Sequence, residues 1–175
     1  LTDTYDSASP RNHVHMDYDT LGRKISMTDP DMGGFAGKSW RYYYDKVGNL
    51  TSQIDAKDQT LTFEYDAINR LIFKKHLRGG TGPSDPSSEV VLVQYHYDDP
   101  AKPNCIGRLS KVTDSSGSTE FFYDILGREI KTIKHLGGGT GSSNSSHEVE
   151  SVSYTIERAY DSLDRLVTVK YPDAT

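Results

Sequence analysis

Apolar residues along this chain come in short bursts, and no stretch shows a helical period. The segments 39–44 (SWRYYY), 60–65 (TLTFEY), 89–97 (EVVLVQYHY), 119–123 (TEFFY) and 152–160 (VSYTIERAY) alternate in part between apolar and polar positions. So do 71–75 (LIFKK), 109–113 (LSKVT), 130–134 (IKTIK) and 166–171 (LVTVKY). A period of two in runs rich in aromatic and β-branched residues predicts half-buried strands. Every run of the first group ends on tyrosine, and an aspartate follows. The expected fold is all-β, an antiparallel meander of hairpins forming a twisted, curved sheet.

The Tyr-Asp step recurs at Tyr5, Tyr18, Tyr44, Tyr65, Tyr97, Tyr123 and Tyr160. Five copies continue alike: YDTLGR, YDKVGN, YDAINR, YDILGR and YDSLDR. The copy at Tyr97 carries a six-residue insertion and recovers at Gly107, Arg108 and Leu109, and the copy at Tyr5 is degenerate. Three residues after each aspartate stand Gly22, Gly48, Asn69, Gly127 and Asp164, the residue types that best tolerate left-handed backbone. These types form about a fifth of the chain, so five hits in five would arise by chance roughly once in two thousand. A type I turn closed by a left-handed residue is a common hairpin connection. Turns are therefore expected near 19–22, 45–48, 66–69, 98–107, 124–127 and 161–164.

Each leading aspartate (Asp19, Asp45, Asp66, Asp124, Asp161) suits the first turn position, where its carboxylate accepts from backbone N–H groups. Across from it should lie Arg23, Asn49, Arg70, Arg128 or Arg165, mostly an Asp–Arg pair worth roughly 0.2–1 kcal/mol. Each tyrosine should lie on the other face, across from Lys24, Leu50, Leu71, Glu129 or Leu166. Three of those five are leucine, so the tyrosine face is the one expected to be covered, with the Lys24 and Glu129 hairpins more exposed. Second turns after Met27 (TDPDMGG), Ile54 (DAKDQ) and Val112 (TDSSGS) link hairpin to hairpin. A larger duplication, KHLRGGTGPSDPSSEV from Lys75 and KHLGGGTGSSNSSHEV from Lys134, places long Gly/Ser-rich loops at 78–88 and 137–147. Residues 1–175 thus form a single repeat region.

Composition narrows the function. Apolar residues make up 34% of the chain against a usual ~45–50%, while twelve tyrosines suit a half-wet pleated surface. A net charge of −5 argues against nucleic acid, whose phosphates need clustered Lys and Arg. No apolar run reaches the ~18 residues of a membrane helix. Cys105 stands alone, so neither an internal disulfide nor a multi-cysteine metal site is expected.

Candidate chemistry is sparse, and no catalytic, cofactor-binding or metal-ligating residue is assigned. Asp29 and Asp31 flank Pro30 ahead of Gly33, but lack the full ligand spacing of a calcium loop. His13 and His15 would share one strand face. His76 and His135 hold equivalent duplicated positions, which argues for a structural role. Cys105 lacks a recognisable His/Asn framework for a catalytic thiol. Gly79–Gly82 and Gly137–Gly141 lack the strand-to-helix context of a phosphate loop. Trp40, beside Arg41 and Tyr42 and near Tyr43, offers a sugar-stacking surface or packing between hairpins. Paired carboxylates for glycoside hydrolysis would need a shared cleft, whereas the repeat sets them one per turn.

The segments YDKVGNLTSQIDAKDQTLTFEYDAINRL and YDILGREIKTI resemble the YD repeats of Rhs proteins, of the C component of Tc-type insecticidal toxin complexes and of teneurins. The resemblance runs from about Tyr5 to Asp173. It implies a spiralling β-sheet that closes into a hollow shell. In the bacterial members, the shell encloses a C-terminal toxin domain; in teneurins it belongs to an adhesion receptor. Nothing here matches the self-cleaving core that follows the repeats in many members. By that resemblance the chain is a structural wall segment, not an enzyme, secreted or at the bacterial cell surface. Its partners would be further repeats of the same chain or other copies of itself, and an enclosed toxin; the alternatives are an adhesion or carbohydrate-binding module whose partner is a surface glycan, or a self-assembling extracellular β-repeat protein. Six or seven hairpins are too few to close a shell, and the chain starts at Leu1, so a piece of a longer polypeptide is expected.

Overall fold

The computed structural model describes residues 2–5, 13–29, 39–77, 89–137 and 152–172, and these fold as antiparallel strands joined by tight turns. The chain divides into two compact units, Leu1–Val91 and Leu92–Thr175. In the first, β1 (Thr2–Tyr5), β2 (His13–Tyr18), β3 (Lys24–Thr28), β4 (Trp40–Tyr44), β5 (Leu50–Ile54), β6 (Thr60–Tyr65) and β7 (Leu71–Leu77) each pair with the next. The second holds most of β8 (Glu89–Tyr97), then β9 (Leu109–Asp114), β10 (Gly117–Tyr123), β11 (Glu129–Leu136), β12 (Val152–Tyr160) and β13 (Leu166–Lys170). Here too each strand pairs with its successor. The all-β antiparallel meander expected from the alternation is the observed fold.

Turn chemistry sets the hairpins. The Gly22 N–H donates to the Asp19 carbonyl (3.0 Å), and the Asp19 N–H donates to the Arg23 carbonyl (2.9 Å). The same pair of bonds closes the turns at Asp45, Asp66, Asp124 and Asp161. The residues three past these aspartates have φ of 77° (Gly22), 100° (Gly48), 64° (Asn69), 81° (Gly127) and 62° (Asp164). All are left-handed, as a type I turn ending in a G1 bulge requires. The linking turn at Asp55 copies the design, with Asp58 at φ 61°. At the degenerate Tyr5 step, Tyr5 pairs with His13 and β1 runs beside β2.

A second bulge follows in six of the Tyr-Asp hairpins. Tyr18 pairs with Lys24 while Asp17 pairs with Ser26, leaving Ile25 as the extra residue. Thr51, Ile72, Ser110, Ile130 and Val167 are extra in the same way beside Tyr44, Tyr65, Tyr97, Tyr123 and Tyr160. Where the extra residue has a hydroxyl, it donates back across the bulge: Thr51 to the Tyr43 carbonyl (3.2 Å) and Ser110 to the His96 carbonyl (2.9 Å). Such bulges bend the strand and add twist.

Neither unit packs its sheet against another layer among the described residues. Among the described residues, only Ala56, Cys105 and Ser110 are buried. Cohesion therefore runs along the sheet, from hairpin to hairpin. The tyrosine face is the better covered one: on β4, Trp40, Tyr42 and Tyr44 are half-buried while Arg41 and Tyr43 point outward. Exposure follows position in the sheet more than the tyrosine's partner. Tyr18, across from Lys24, is 40% exposed, but Leu166, on the last described strand, is 50% exposed although apolar. Glu129 is half-covered beneath Arg158.

Glycine substitutions should separate backbone strain from collision. A Cβ at Gly22 meets nothing within 4 Å, so Gly22→Ala pays only for left-handed backbone, about 1–2 kcal/mol. At Gly117 (φ 140°) a Cβ would stand 2.0 Å from the His135 carbonyl oxygen, and Gly117→Ala is expected to cost clearly more. Chemical denaturation of the full chain and both variants checks the ranking, and equal losses would refute it.

Candidate functional site at the junctions between hairpins

The tyrosine, aspartate and arginine of each repeat form one connected device. Asp66 Oδ1 accepts from the N–H groups of Ile68 (3.0 Å) and Arg70 (2.9 Å), and Oδ2 accepts from Arg70 Nε at 2.7 Å. Asp19 with Arg23, Asp124 with Arg128 and Asp161 with Arg165 repeat this clasp at the same 2.7 Å. Asn49 replaces arginine beside Asp45; its amide donates to Asp45 Oδ2 and also to Asn69 Oδ1 of the next turn, both at 2.9 Å.

The clasped arginine then reaches forward. Arg23 lies over the Tyr44 ring (4.7 Å) and donates to the Asp45 carbonyl (3.2 Å). Arg128 lies over Tyr160 (4.9 Å) and donates to the Asp161 carbonyl (3.2 Å) and to Asp164 (2.7 Å). A planar guanidinium serves both the carboxylate and the ring face, which an ammonium does less well.

The tyrosine reaches backward. Its hydroxyl donates to the carbonyl of the first residue in the preceding hairpin's departing strand: Tyr44 to Lys24 (2.8 Å), Tyr65 to Leu50 (2.9 Å), Tyr123 to Leu109 (2.9 Å) and Tyr160 to Glu129 (3.0 Å). The ring covers the sheet while the hydroxyl fills an acceptor that pairing leaves open. Partial burial raises the Tyr65 and Tyr123 hydroxyl pKa values, and nearby Asp45 and Glu129 respectively push the same way, so both stay protonated donors. Tyr18, in the first described junction, turns its hydroxyl to Met16 Sδ instead.

The carboxylates are tuned toward permanent charge. At Asp19, Asp66 and Asp161 the backbone N–H of the following Arg23, Arg70 or Arg165 is the leading cause of a lowered pKa. At Asp45 and Asp124 partial burial opposes ionisation most strongly, but the donors of Asn49 and Arg128 outweigh it.

The insertion at 98–107 keeps the closure while lengthening it. The Asp98 N–H still donates to the Arg108 carbonyl (3.1 Å), and Gly107 N–H donates to Asp98 Oδ1 (2.6 Å). Between them successive turns run from Asp99 to Lys102, Lys102 to Cys105 and Cys105 to Arg108. The insertion leans on the next hairpin: Asn104 donates to the Tyr123 carbonyl (3.1 Å), Lys102 pairs with Glu120 (2.9 Å), and Arg108 lies over Tyr123 (5.7 Å). An open apolar recess of about 500 Å³ lies between insertion and hairpin, lined in part by Pro103, Phe122, Ile125 and Ile130.

The individual candidates from the sequence do not converge. Trp40 and Tyr43 fall on opposite faces of β4 and make no common platform for a sugar. Cys105 is fully buried inside the insertion. His15 pairs with Asp17 (3.2 Å), while the His13 side chain is not among those described. His135 Nδ1 and the Ser153 hydroxyl lie 2.8 Å apart, and His76 sits across from Leu61. Asp29 closes β3, whereas Asp31, Gly33, Gly79–Gly82, Gly138–Gly141 and His147 lie outside the described residues. Among the described residues, no group of three metal-ligating side chains gathers, and no helix is long and apolar enough to cross a membrane. Sequence reading missed the second bulge and the tyrosine latch. The bulge has a faint signal, since five of its six extra residues are β-branched.

Clasp, latch and bulge recur at several Tyr-Asp hairpins along the chain. Residues 44–81, which take in the Tyr44 and Tyr65 hairpins, match the RHS Repeat family, consistent with the resemblance drawn from the sequence. Solved structures share the fold. The crystal structure of TcdB2-TccC3-TEV aligns at TM-score 0.65 and 14% identity over 96% of this chain and 10% of its own. TcdB2-TccC3 aligns at 0.53 and 17% over 94% and 9%. The Tc holotoxin pore of Photorhabdus luminescens aligns at 0.51 and 15% over 96% and 10%. This chain spans about a tenth of the length of those solved chains. No curated protein sequence matches it.

Two substitutions test the device. Tyr65→Phe strands the Leu50 carbonyl and should cost about 1 kcal/mol, while Tyr43→Phe, at an outward-facing ring, should stay within about 0.5 kcal/mol of the parent. Urea unfolding of the full chain compares them, and equal effects would remove the latch. Asp66 is held below its unfolded pKa, so its contribution is complete above the ordinary carboxylate range near 4 and fades as pH falls through the folded value. The full chain should therefore lose thermal stability below about pH 4 more steeply than Asp66→Asn. Parallel acid profiles would contradict the clasp.

Proposed function

We propose that this chain is a stretch of wall from an RHS-repeat β-shell that encapsulates the C-terminal toxin of a bacterial polymorphic toxin, secreted or held at the cell surface. The observation that carries this is the junction itself. Tyr44, Tyr65, Tyr123 and Tyr160 latch their hairpins to the preceding ones through a hydroxyl, and Arg23 and Arg128 reach forward to the following ones. Such a device suits lengthening a sheet, hairpin after hairpin, without a second layer. The RHS match and the likeness in fold to TcdB2-TccC3 support the reading.

The same geometry supports a non-enzymatic role. The turn aspartates spend their oxygens on backbone and guanidinium donors and stay ionised. A general acid needs the opposite shift. The partners are then further YD repeats of the same polypeptide and the toxin domain they enclose.

The intact denatured mass of the native polypeptide tests the proposal. A chain much larger than 19.5 kDa, with a separate fragment that co-purifies, is the expected result. A native mass near 19.5 kDa would overturn the closed shell for a single chain.

A further inference from the structure

The insertion hairpin keeps the repeat's arginine but not its clasp. In four other hairpins the turn aspartate accepts from the arginine Nε at 2.7 Å. Asp124 Oδ2 also receives Arg128 Nη2, again at 2.7 Å. In the insertion hairpin Asp98 Oδ1 accepts the Gly107 N–H (2.6 Å). Arg108 donates only through Nη1, to the carbonyls of Asn104 (2.9 Å) and Ile106 (3.3 Å). No carboxylate pairs with Arg108 among the described residues, and its Nε and Nη2 donate to none of them. A guanidinium stays charged in a protein, so a full cation is left with two donors to spare. Gly127 leaves room for it, since a Cβ there would lie 2.1 Å from Nη2.

The apolar recess lies against this group. Its lining includes Asn104, which accepts from Arg108, and Tyr123, whose ring Arg108 overlies at 5.7 Å. Pro103, Phe122, Ile125 and Ile130 make the rest largely apolar, and the charged pair in the lining, Asp124 and Arg128, is spent on itself. Ile125 is 86% exposed, with nothing of its own fold over it. The wall is fixed in advance: Cys105 is fully buried, and Lys102 ties the insertion to Glu120 (2.9 Å) and to the Ser110 carbonyl (3.0 Å). A volume of about 500 Å³ falls among small-molecule sites, ~300–1,000 Å³. A stable protein partner covers roughly 800 Å², more than this recess presents.

We propose that this recess binds the anion of a medium-chain fatty acid, its carboxylate on Arg108 Nε and Nη2 and its alkyl chain over Phe122 and Ile130. The carboxylate gives Arg108 the contact that Asp124 gives Arg128. Charge selects the head, and the apolar lining selects the tail. The site is made by the six-residue insertion and not by the repeat itself, so it stands whether or not the chain is shell wall.

The test is calorimetric titration of the full chain with sodium decanoate, kept below its micelle concentration. Saturable one-to-one binding is expected, about tenfold tighter than that of decanol, which lacks the charge. Acetate, which lacks the tail, should not bind measurably. Arg108→Ala should weaken decanoate about tenfold, and Ile125→Ser, at an exposed side chain, severalfold. Absence of saturable decanoate binding would overturn the proposal. So would decanol binding as tightly as decanoate, or either variant leaving decanoate affinity unchanged. The comparison of decanoate with decanol uses the unaltered chain, so it decides even where Arg108→Ala fails to fold.

Discussion

The structure depends on one hydrogen-bonded contact: the tyrosine hydroxyl seated on a carbonyl of the preceding hairpin. A single-layer sheet has no opposing layer to bury its apolar face, and only Ala56, Cys105 and Ser110 are buried among the described residues. Stability must then come from neighbour on neighbour, as in other repeat architectures. Tyrosine meets that need because one side chain covers apolar area and satisfies a backbone acceptor at once. Phenylalanine would cover as much and leave the carbonyl open. Four of the twelve tyrosines, Tyr44, Tyr65, Tyr123 and Tyr160, meet this constraint.

The aspartate–arginine clasp makes the latch repeatable. By filling its lone pairs with the N–H groups of the turn, the carboxylate fixes the loop and aims the guanidinium at the next ring. An exposed ion pair alone contributes little, so the clasp matters as a positioning device. Its replacement at Asn49 shows what the place demands: a planar donor group that bonds Asp45 and bridges to the following turn. Charge itself is dispensable there.

Much of this was legible in the residues. Strand positions and turns followed from alternation and from the left-handed requirement at Gly22, Gly48, Asn69, Gly127 and Asp164, because both are local. The pairing of each tyrosine with Lys24, Leu50, Leu71, Glu129 or Leu166 followed from the turn type. The backward reach of the hydroxyl did not, since it joins residues of different hairpins and no spacing within one repeat encodes it. The second bulge was hidden because a β-branched residue is equally at home in an unbulged strand. Exposure at Leu166 was misjudged from its apolar character, for it depends on what lies beside the strand. The candidate chemistry at Trp40 and Tyr43 dissolved once strand parity set them on opposite faces.

Every tyrosine latch points toward the amino terminus: Tyr44 to Lys24, Tyr65 to Leu50, Tyr123 to Leu109, Tyr160 to Glu129. Each hairpin thus finds its anchoring carbonyl in chain that has already been made. On a ribosome adding roughly 5–20 residues per second, a hairpin can lock onto its predecessor as it emerges, while downstream sequence is still untranslated. The growing edge would always be the newest strand, and misregistered pairing with distant hairpins would have little time to compete. Polarity of assembly, amino end first, is written into which partner carries the hydroxyl and which the carbonyl.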